Sequence, residues 1–309
     1  MKTLTRIAVG VWLVLTVAAG SAEAYVEPSN NPDDVYWSDQ FPLPGTDGRV
    51  YAVVRDLLGN VYIGGNFRGA GDVVANGIAK WNASSSTWSA LGTGTNSAVG
   101  VLAVDDSGNL YAGGGFTTAG GVPANNIAKW DGTMWSALGT GVAGGGGSST
   151  GVSALAVDSL GNVYAGGNFT TAGGVTVNNI AKWDGTTWFA LGTGIGGGYY
   201  PHVSALAVDA SGDVYAGGDF ATAGGTSANF IAKWDGTVWS ALGSGMAGGG
   251  GSSTGVSALA VDSLGNVYAG GYFTTAGGMA AKGAAIMERL GMVGTRDGDE
   301  LGCARPCNG

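Results

Sequence analysis

The stretch Val152–Gly192, VSALAVDSLGNVYAGGNFTTAGGVTVNNIAKWDGTTWFALG, decides the fold. It reads as four short strands. Val152–Val157 is apolar on both faces. Asp158-Ser159-Leu160-Gly161-Asn162 ends it in a tight turn, because Asp and Asn bond their own backbone and Gly accepts positive φ. Val163–Phe169 is β-branched and aromatic, with a glycine pair that marks a bulge or a close backbone approach. Thr170–Val177 reads as a loop. Asn179–Trp183 and Thr187–Leu191 are joined through Asp184-Gly185, a strong hairpin signal. That hairpin puts Trp183 and Trp188 on one face as direct or diagonal neighbours.

The same pattern recurs along the chain. The aspartate that ends the first strand returns at Asp56, Asp105, Asp158, Asp209 and Asp262, spaced by 49, 53, 51 and 53 residues. The second-strand tyrosine returns at Tyr62, Tyr111, Tyr164, Tyr215 and Tyr268, and the phenylalanine at Phe67, Phe116, Phe169, Phe220 and Phe273. The tryptophan pair appears four times, as Trp81/Trp88, Trp130/Trp135, Trp183/Trp188 and Trp234/Trp239. Four units are therefore complete, and a fifth is read as stopping after its second strand. A four-stranded sheet that is apolar on both faces must be covered by neighbours on both. Stacking such sheets around an axis makes a β-propeller. The expectation is an all-β propeller of about five four-stranded antiparallel blades, the last possibly incomplete, with a short irregular or helical C-terminal tail.

Over roughly Trp37 to Gly278 the units resemble secreted bacterial propeller repeats grouped with the kelch and galactose-oxidase-like superfamily. The carriers are the Tyr-x-Gly-Gly of the second strand (Tyr164, Gly166, Gly167) and the later aromatics Trp183 and Trp188. Kelch repeats usually place Tyr then Trp at those two later positions, where this chain has Trp at both. The Ile-Ala-Lys-Trp-Asp-Gly string also resembles repeats in cell-surface polarity-marker proteins. The resemblance implies a fold and an external location, and no particular reaction.

The chain ends differ from the repeats. Residues 1–24 read as a secretory signal, with Lys2 and Arg6 before the 14-residue apolar run Ile7–Gly20 and a small-x-small cleavage site at Ala22-Glu23-Ala24. Residues 25–278 are the propeller repeats, and residues 279–309 a divergent tail. In Val35–Gly45, Trp37-Ser38 echoes Trp135-Ser136, so this segment reads as a fourth strand closing the last blade from the N-terminus. After Gly278 the repeat pattern fails, and eight of the last 31 residues are charged. Ala280–Leu290 reads as a short helix. A shifted reading frame and a genuine helical cap both account for the break. Removing Lys2, Arg6 and Glu23 takes the formal charge from −9 to −10. Few charges with an acidic balance argue against binding to nucleic acid or to an anionic membrane surface, and no membrane insertion is expected once the signal is cleaved.

Candidate chemistry is sparse. His202 is the only histidine, too few for a His-based metal site, and the His, Tyr and Cys ligand set of galactose-oxidase chemistry is absent. Cys303 and Cys307 are the only cysteines and lie in the tail. The recurrent Asp-x-x-Gly-Asn has too few carboxylates for calcium and reads as a turn. Lys80, Lys129, Lys182 and Lys233 share one repeat position. A set of four could bind an anion, but the expected arrangement lays each stem along an aromatic neighbour. The tryptophan pairs could stack sugars, but their regular recurrence reads as core, with Trp183→Ala costing about 3–5 kcal/mol. No catalytic, cofactor-binding or metal residue is assigned, and no cofactor.

The functional expectation is an exported, non-enzymatic propeller scaffold, secreted or held at the cell surface or in the periplasm, that binds a protein or a cell-surface polymer. A lectin-like carbohydrate-binding module is the alternative, and a propeller hydrolase or lyase a weaker one. N-terminal sequencing of the exported protein should start at Tyr25; a first residue of Met1 would show that the leader is retained.

Overall fold

The computed structural model describes residues 45–145, 151–198, 200–249 and 255–288, and the backbone of 291–294. The leader, the Val35–Gly45 segment apart from Gly45, the centres of two glycine-rich loops, and both cysteines lie outside the described residues. The described residues fall into two compact units, one ending at Ala190 and one starting at Leu191.

Every described regular element is a strand, and five antiparallel sheets have four strands each. The first unit holds three of them, whose first strands are Arg49–Arg55, Val99–Val104 and Gly151–Val157; the second unit holds two, starting at His202–Val208 and Gly255–Val261. In the third sheet the strands are Gly151–Val157, Val163–Asn168, Ile180–Trp183 and Trp188–Ala190, in that spatial order, which matches the reading of Val152–Gly192. Trp183 and Trp188 are direct partners across the hairpin.

The glycine pair of the second strand does two separate jobs. Opposite the second glycine, the first strand carries a bulge: the register slips between Val152 and Ala154, and a side chain at Gly167 would overlap the Gly151 carbonyl. The first glycine faces the next sheet. A methyl group at Gly64, Gly113 or Gly217 would come within 2.5–2.6 Å of Cγ1 of Val99, Val152 or Val256. Those valines are buried, and around them Tyr111, Ile127 and Leu138 of the second sheet meet Leu155, Val163 and Phe169 of the third. The same grouping joins the first sheet to the second and, in the other unit, the fourth to the fifth.

The stretch read as a loop, Thr170–Val177, is a small hairpin, Thr171–Ala172 with Val175–Thr176, and Val142–Ala143 from the exit of the preceding sheet adds a third strand. The turn is Gly173-Gly174, both at positive φ. The loop reading missed that a Gly-Gly turn matches the twist of a two-residue hairpin.

The tail is also corrected. Ala280–Leu290 is not a helix: Ala284–Glu288 is the third strand of the fifth sheet, Gly291–Gly294 the fourth, and the fifth unit does not stop after its second strand. Gly291–Gly294 occupies the place assigned from sequence to the N-terminal segment. Ala, Met, Glu and Leu favour a helix, but unpaired backbone on the second strand Val267–Tyr272 supplies a ladder that outweighs propensity. One residue makes this possible. The position before the third strand is left-handed in every sheet, at Gly77, Asn126, Asn179, Phe230 and Gly283, with φ of 63–76°. In each, its N–H and C=O both bond back toward the second strand, and the tail supplies glycine there.

Gly217→Ala should therefore lower the urea midpoint by the equivalent of about 1–3 kcal/mol, while Gly270→Ala, whose added carbon would meet nothing nearer than 3.9 Å, should leave it unchanged. Equal effects at the two positions would remove the inter-sheet role given to the first glycine.

Candidate functional site

Each sheet has one end formed by the turn between its first two strands and the turn between its last two. There the repeat gathers its ionisable residues. Oδ1 of Asp56, Asp105, Asp158, Asp209 and Asp262 accepts the N–H four residues on at 2.8–3.0 Å. Oδ2 accepts the amide of Asn60, Asn109, Asn162 or Asn266 at 2.7–2.8 Å. The same Oδ2 accepts the hydroxyl of Tyr62, Tyr111, Tyr164, Tyr215 or Tyr268 at 3.0–3.4 Å. The carboxylate oxygens are thus committed to donors of their own turn, as expected for an Asx turn.

The electrostatic result falls on the tyrosines. Burial pushes the Tyr62 hydroxyl up to about 12, and the neighbouring Asp56 charge and hydrogen bond push the same way. Tyr111 and Tyr164 are raised by the same causes. Over these rings lie the lysines: Nζ of Lys80, Lys129, Lys182 and Lys233 stands 5.4–5.8 Å from the centroid of Tyr62, Tyr111, Tyr164 and Tyr215. This is the stem-on-aromatic arrangement, with tyrosine as the partner. In the fourth sheet Asp213 replaces the asparagine and pairs with Lys233 at 2.5 Å, which raises the lysine's pKa. In the fifth sheet the lysine's register position opposite Tyr268 is the uncharged Ile286. At the adjoining turn, Asp131 and Asp235 are lowered to about 2, chiefly by the N–H of Met134 and of Val238.

From the second to the fourth sheet the tryptophans divide by strand, and in the first sheet the order is reversed, with Trp81 buried and Trp88 half-buried. Trp135, Trp188 and Trp239 on the fourth strands are only 4–7% exposed, whereas Trp130, Trp183 and Trp234 are half-buried. Within each pair the ring centroids are 5.4–5.5 Å apart at 51–66°. The full cost expected of Trp183→Ala therefore belongs to Trp188→Ala. Sequence reading also missed what the buried indoles do. Nε1–H of Trp135 donates to the Leu91 carbonyl, Trp188 to Leu138 and Trp239 to Leu191, each at 2.8 Å and each into the exit of the preceding repeat. The signal was present: Ala-Leu-Gly follows every pair. The next glycine along, Gly173 or its counterparts Gly120 and Gly224, lies against the indole where a side chain would collide.

His202 opens the first strand of the fourth sheet, half-buried, with Nδ1 3.0 Å from the Tyr200 carbonyl oxygen. A shallow depression of about 540 Å³ in the first unit is lined by Asn66, Arg68, Asn76, Thr95, Asn96 and Thr118 among others. Arg68 stands where the other units carry Thr or Ala, but the Asn96 amide is used up on Thr117 and Thr118.

No protein-family profile matches the chain, and no curated protein matches it in sequence. Its fold is similar to a propeller-type chain of a mitotic checkpoint complex, with 14% identity and a TM-score of 0.50 over 89% of this chain and 73% of that one. It is also similar to PorZ, a surface component of the type-IX secretion system of Porphyromonas gingivalis, with 16% identity and a TM-score of 0.44 over 81% of this chain. The chain spans 33% of PorZ's length. The fold is accordingly an all-β propeller type.

Trp188→Phe keeps the packing but removes one of the two bonds to the Leu138 carbonyl, which also accepts the Gly141 N–H, and should cost about 0.5–1.5 kcal/mol in urea unfolding; an unchanged midpoint would mean that the bond carries no weight. The raised Tyr62 hydroxyl means that folding holds its proton more tightly than the unfolded chain does. Its stabilisation is complete below pH 10 and is lost as pH rises toward 12. Stability measured across that window should fall, and Tyr62→Phe should fall less steeply.

Proposed function

We propose that the chain is an exported, non-enzymatic β-propeller scaffold that holds a protein or a cell-surface polymer against the turn ends of its sheets. One observation carries this reading. At those ends the repeated Asp, Asn, Tyr and Lys side chains are bonded to one another, while in the first, third and fifth sheets the tip of the same turn puts a leucine into solvent, where the second and fourth carry Ser107 and Ser211. Leu58, Leu160 and Leu264 occupy one repeat position and are 71–86% exposed. Met134 and Val238, on the adjoining turns, are exposed too. An apolar residue kept at the tip of a polar turn adds nothing to the sheet below it and is suited to a contact with a partner.

Export rests on the Met1–Ala24 pattern. The lectin-like alternative draws less support, since the fourth-strand indoles that would stack on a sugar are packed against glycine and bonded to a leucine carbonyl.

Co-sedimentation of the purified chain with cell envelopes of its source tests the reading. Leu58→Asp, Leu160→Asp and Leu264→Asp together should lower retention at least about tenfold with an unchanged melting temperature. Retention equal to that of the unsubstituted chain would remove the turn tips from any binding role.

A further inference from the structure

The depression between the first two sheets lies wholly within one unit. One wall comes from residues 65–68 and 76–77 of the first repeat, the other from residues 93–98, 118 and 121 of the second. It sits where the first strand Arg49–Arg55 begins and the second strand Val61–Asn66 ends, at the opposite end of the sheet from the Leu58 turn. Arg68 lines it. Arg49 is the direct cross-strand partner of Asn66, another lining residue, so its side chain leaves the sheet on the same face. Both arginines are exposed, and among the described residues neither guanidinium has a hydrogen bond or an ion pair. The Asn66 amide and the Ser97 hydroxyl, also in the lining, have no partner among those residues either.

This pair of cations does not belong to the repeat. The Arg68 position is Thr117, Thr170, Ala221 and Thr274 in the other units, and the Arg49 position is Ala98, Gly151, His202 and Gly255. A structural task would recur with the sheets, as the Asp, Tyr and Lys set does. Here two arginines meet on one polar depression of a chain whose formal charge is −9. One acid shares this end. The Asp47 carboxylate accepts the N–H of Arg68 and of Gly69 at 2.7 and 2.9 Å, and it feels the Arg68 charge without pairing with the guanidinium. Two cations against one fixed carboxylate leave the depression locally positive.

A guanidinium presents a planar fork of N–H donors that matches two oxygens of a carboxylate or a phosphate. An amide and a hydroxyl beside it can bond the hydroxyls of a sugar. The volume of about 540 Å³ falls in the range of small-molecule sites and is more than a bare inorganic anion fills. We propose that this depression binds an acidic sugar unit of a polysaccharide, with Arg68 and Arg49 taking its carboxylate or phosphate ester and Asn66 and Ser97 its hydroxyls. The site reads charge and hydroxyl groups and needs no exposed indole. It does not depend on the leucine turn tips at the other end of the sheets, and either contact can fail without the other.

Affinity electrophoresis of the full chain through gels holding polygalacturonate, phosphorylated dextran or unsubstituted dextran tests this. The chain should be retarded by a charged polymer and not by the neutral one, and the polymer that retards it more identifies the oxyanion as carboxylate or phosphate. Arg68→Gln and Arg49→Gln should each weaken the interaction at least about tenfold, the worth of one charge-assisted hydrogen bond, with unchanged melting temperatures. Arg68→Lys keeps the charge without the fork and should also bind less well than the unsubstituted chain. Lys80→Gln removes the same charge from the opposite end of the first sheet and should leave retardation unchanged. Three outcomes would overturn the proposal: free migration through both charged gels, equal retardation by unsubstituted dextran, or a loss with Lys80→Gln as large as with Arg68→Gln, which would mean diffuse attraction and no site.

Discussion

The joint between one sheet and the next is the constraint on which the rest of the fold depends. A single four-stranded sheet with two apolar faces has no stable existence in water, so each must find its neighbour accurately. Two devices at separate points of the interface do this. Near the centre of the second strand, a valine enters the space a glycine leaves. At the outer edge, a buried indole N–H reaches the leucine carbonyl where the preceding sheet ends. The first is steric and excludes any larger side chain; the second is directional and leaves a buried indole N–H without its acceptor if the sheets slide. The added strands Val142–Ala143, Ile195–Gly196 and Met246–Ala247 tie the same edge with backbone bonds.

The polar residues serve this body in a different way. A reader looking for chemistry finds aspartate, tyrosine and lysine repeated together, which in an isolated copy would suggest an acid, a nucleophile and an anion site. The structure gives each a local task. The carboxylate closes its own turn, the tyrosine hydroxyl donates to it, and the lysine covers the tyrosine ring. Repetition of the whole set in sheet after sheet is what a structural role requires. What three of the repeats do not use internally is the leucine at their turn tip, Leu58, Leu160 and Leu264, and these carry the binding proposal.

Much of this was legible beforehand. The strands of Val152–Gly192, the direct pairing of Trp183 with Trp188 and the turn role of Asp158 all follow from local chemistry, since alternation, β-branching and Asp/Gly turn preferences act over a few residues. The errors arose where the deciding partner is distant in sequence. Thr170–Val177 looked like a loop because the strand that completes its small sheet comes from residues 142–143. The tail looked helical because its composition is helical, while its conformation is set by the ladder of residues 267–272 and by a glycine at the one left-handed position. The leucine carbonyls gave no signal as acceptors, because every residue has one and only geometry selects which is used.

The sequence by itself determined the repeat, its four strands, its turns and the stacking that two apolar faces demand. Those follow from short-range preferences and from the cost of exposed apolar surface. Only the tertiary structure decided which glycine admits a neighbouring valine, which tryptophan is buried, and that residues 284–294 complete a sheet. Each of these is a contact between segments tens of residues apart, and the pattern within one segment does not contain its partner.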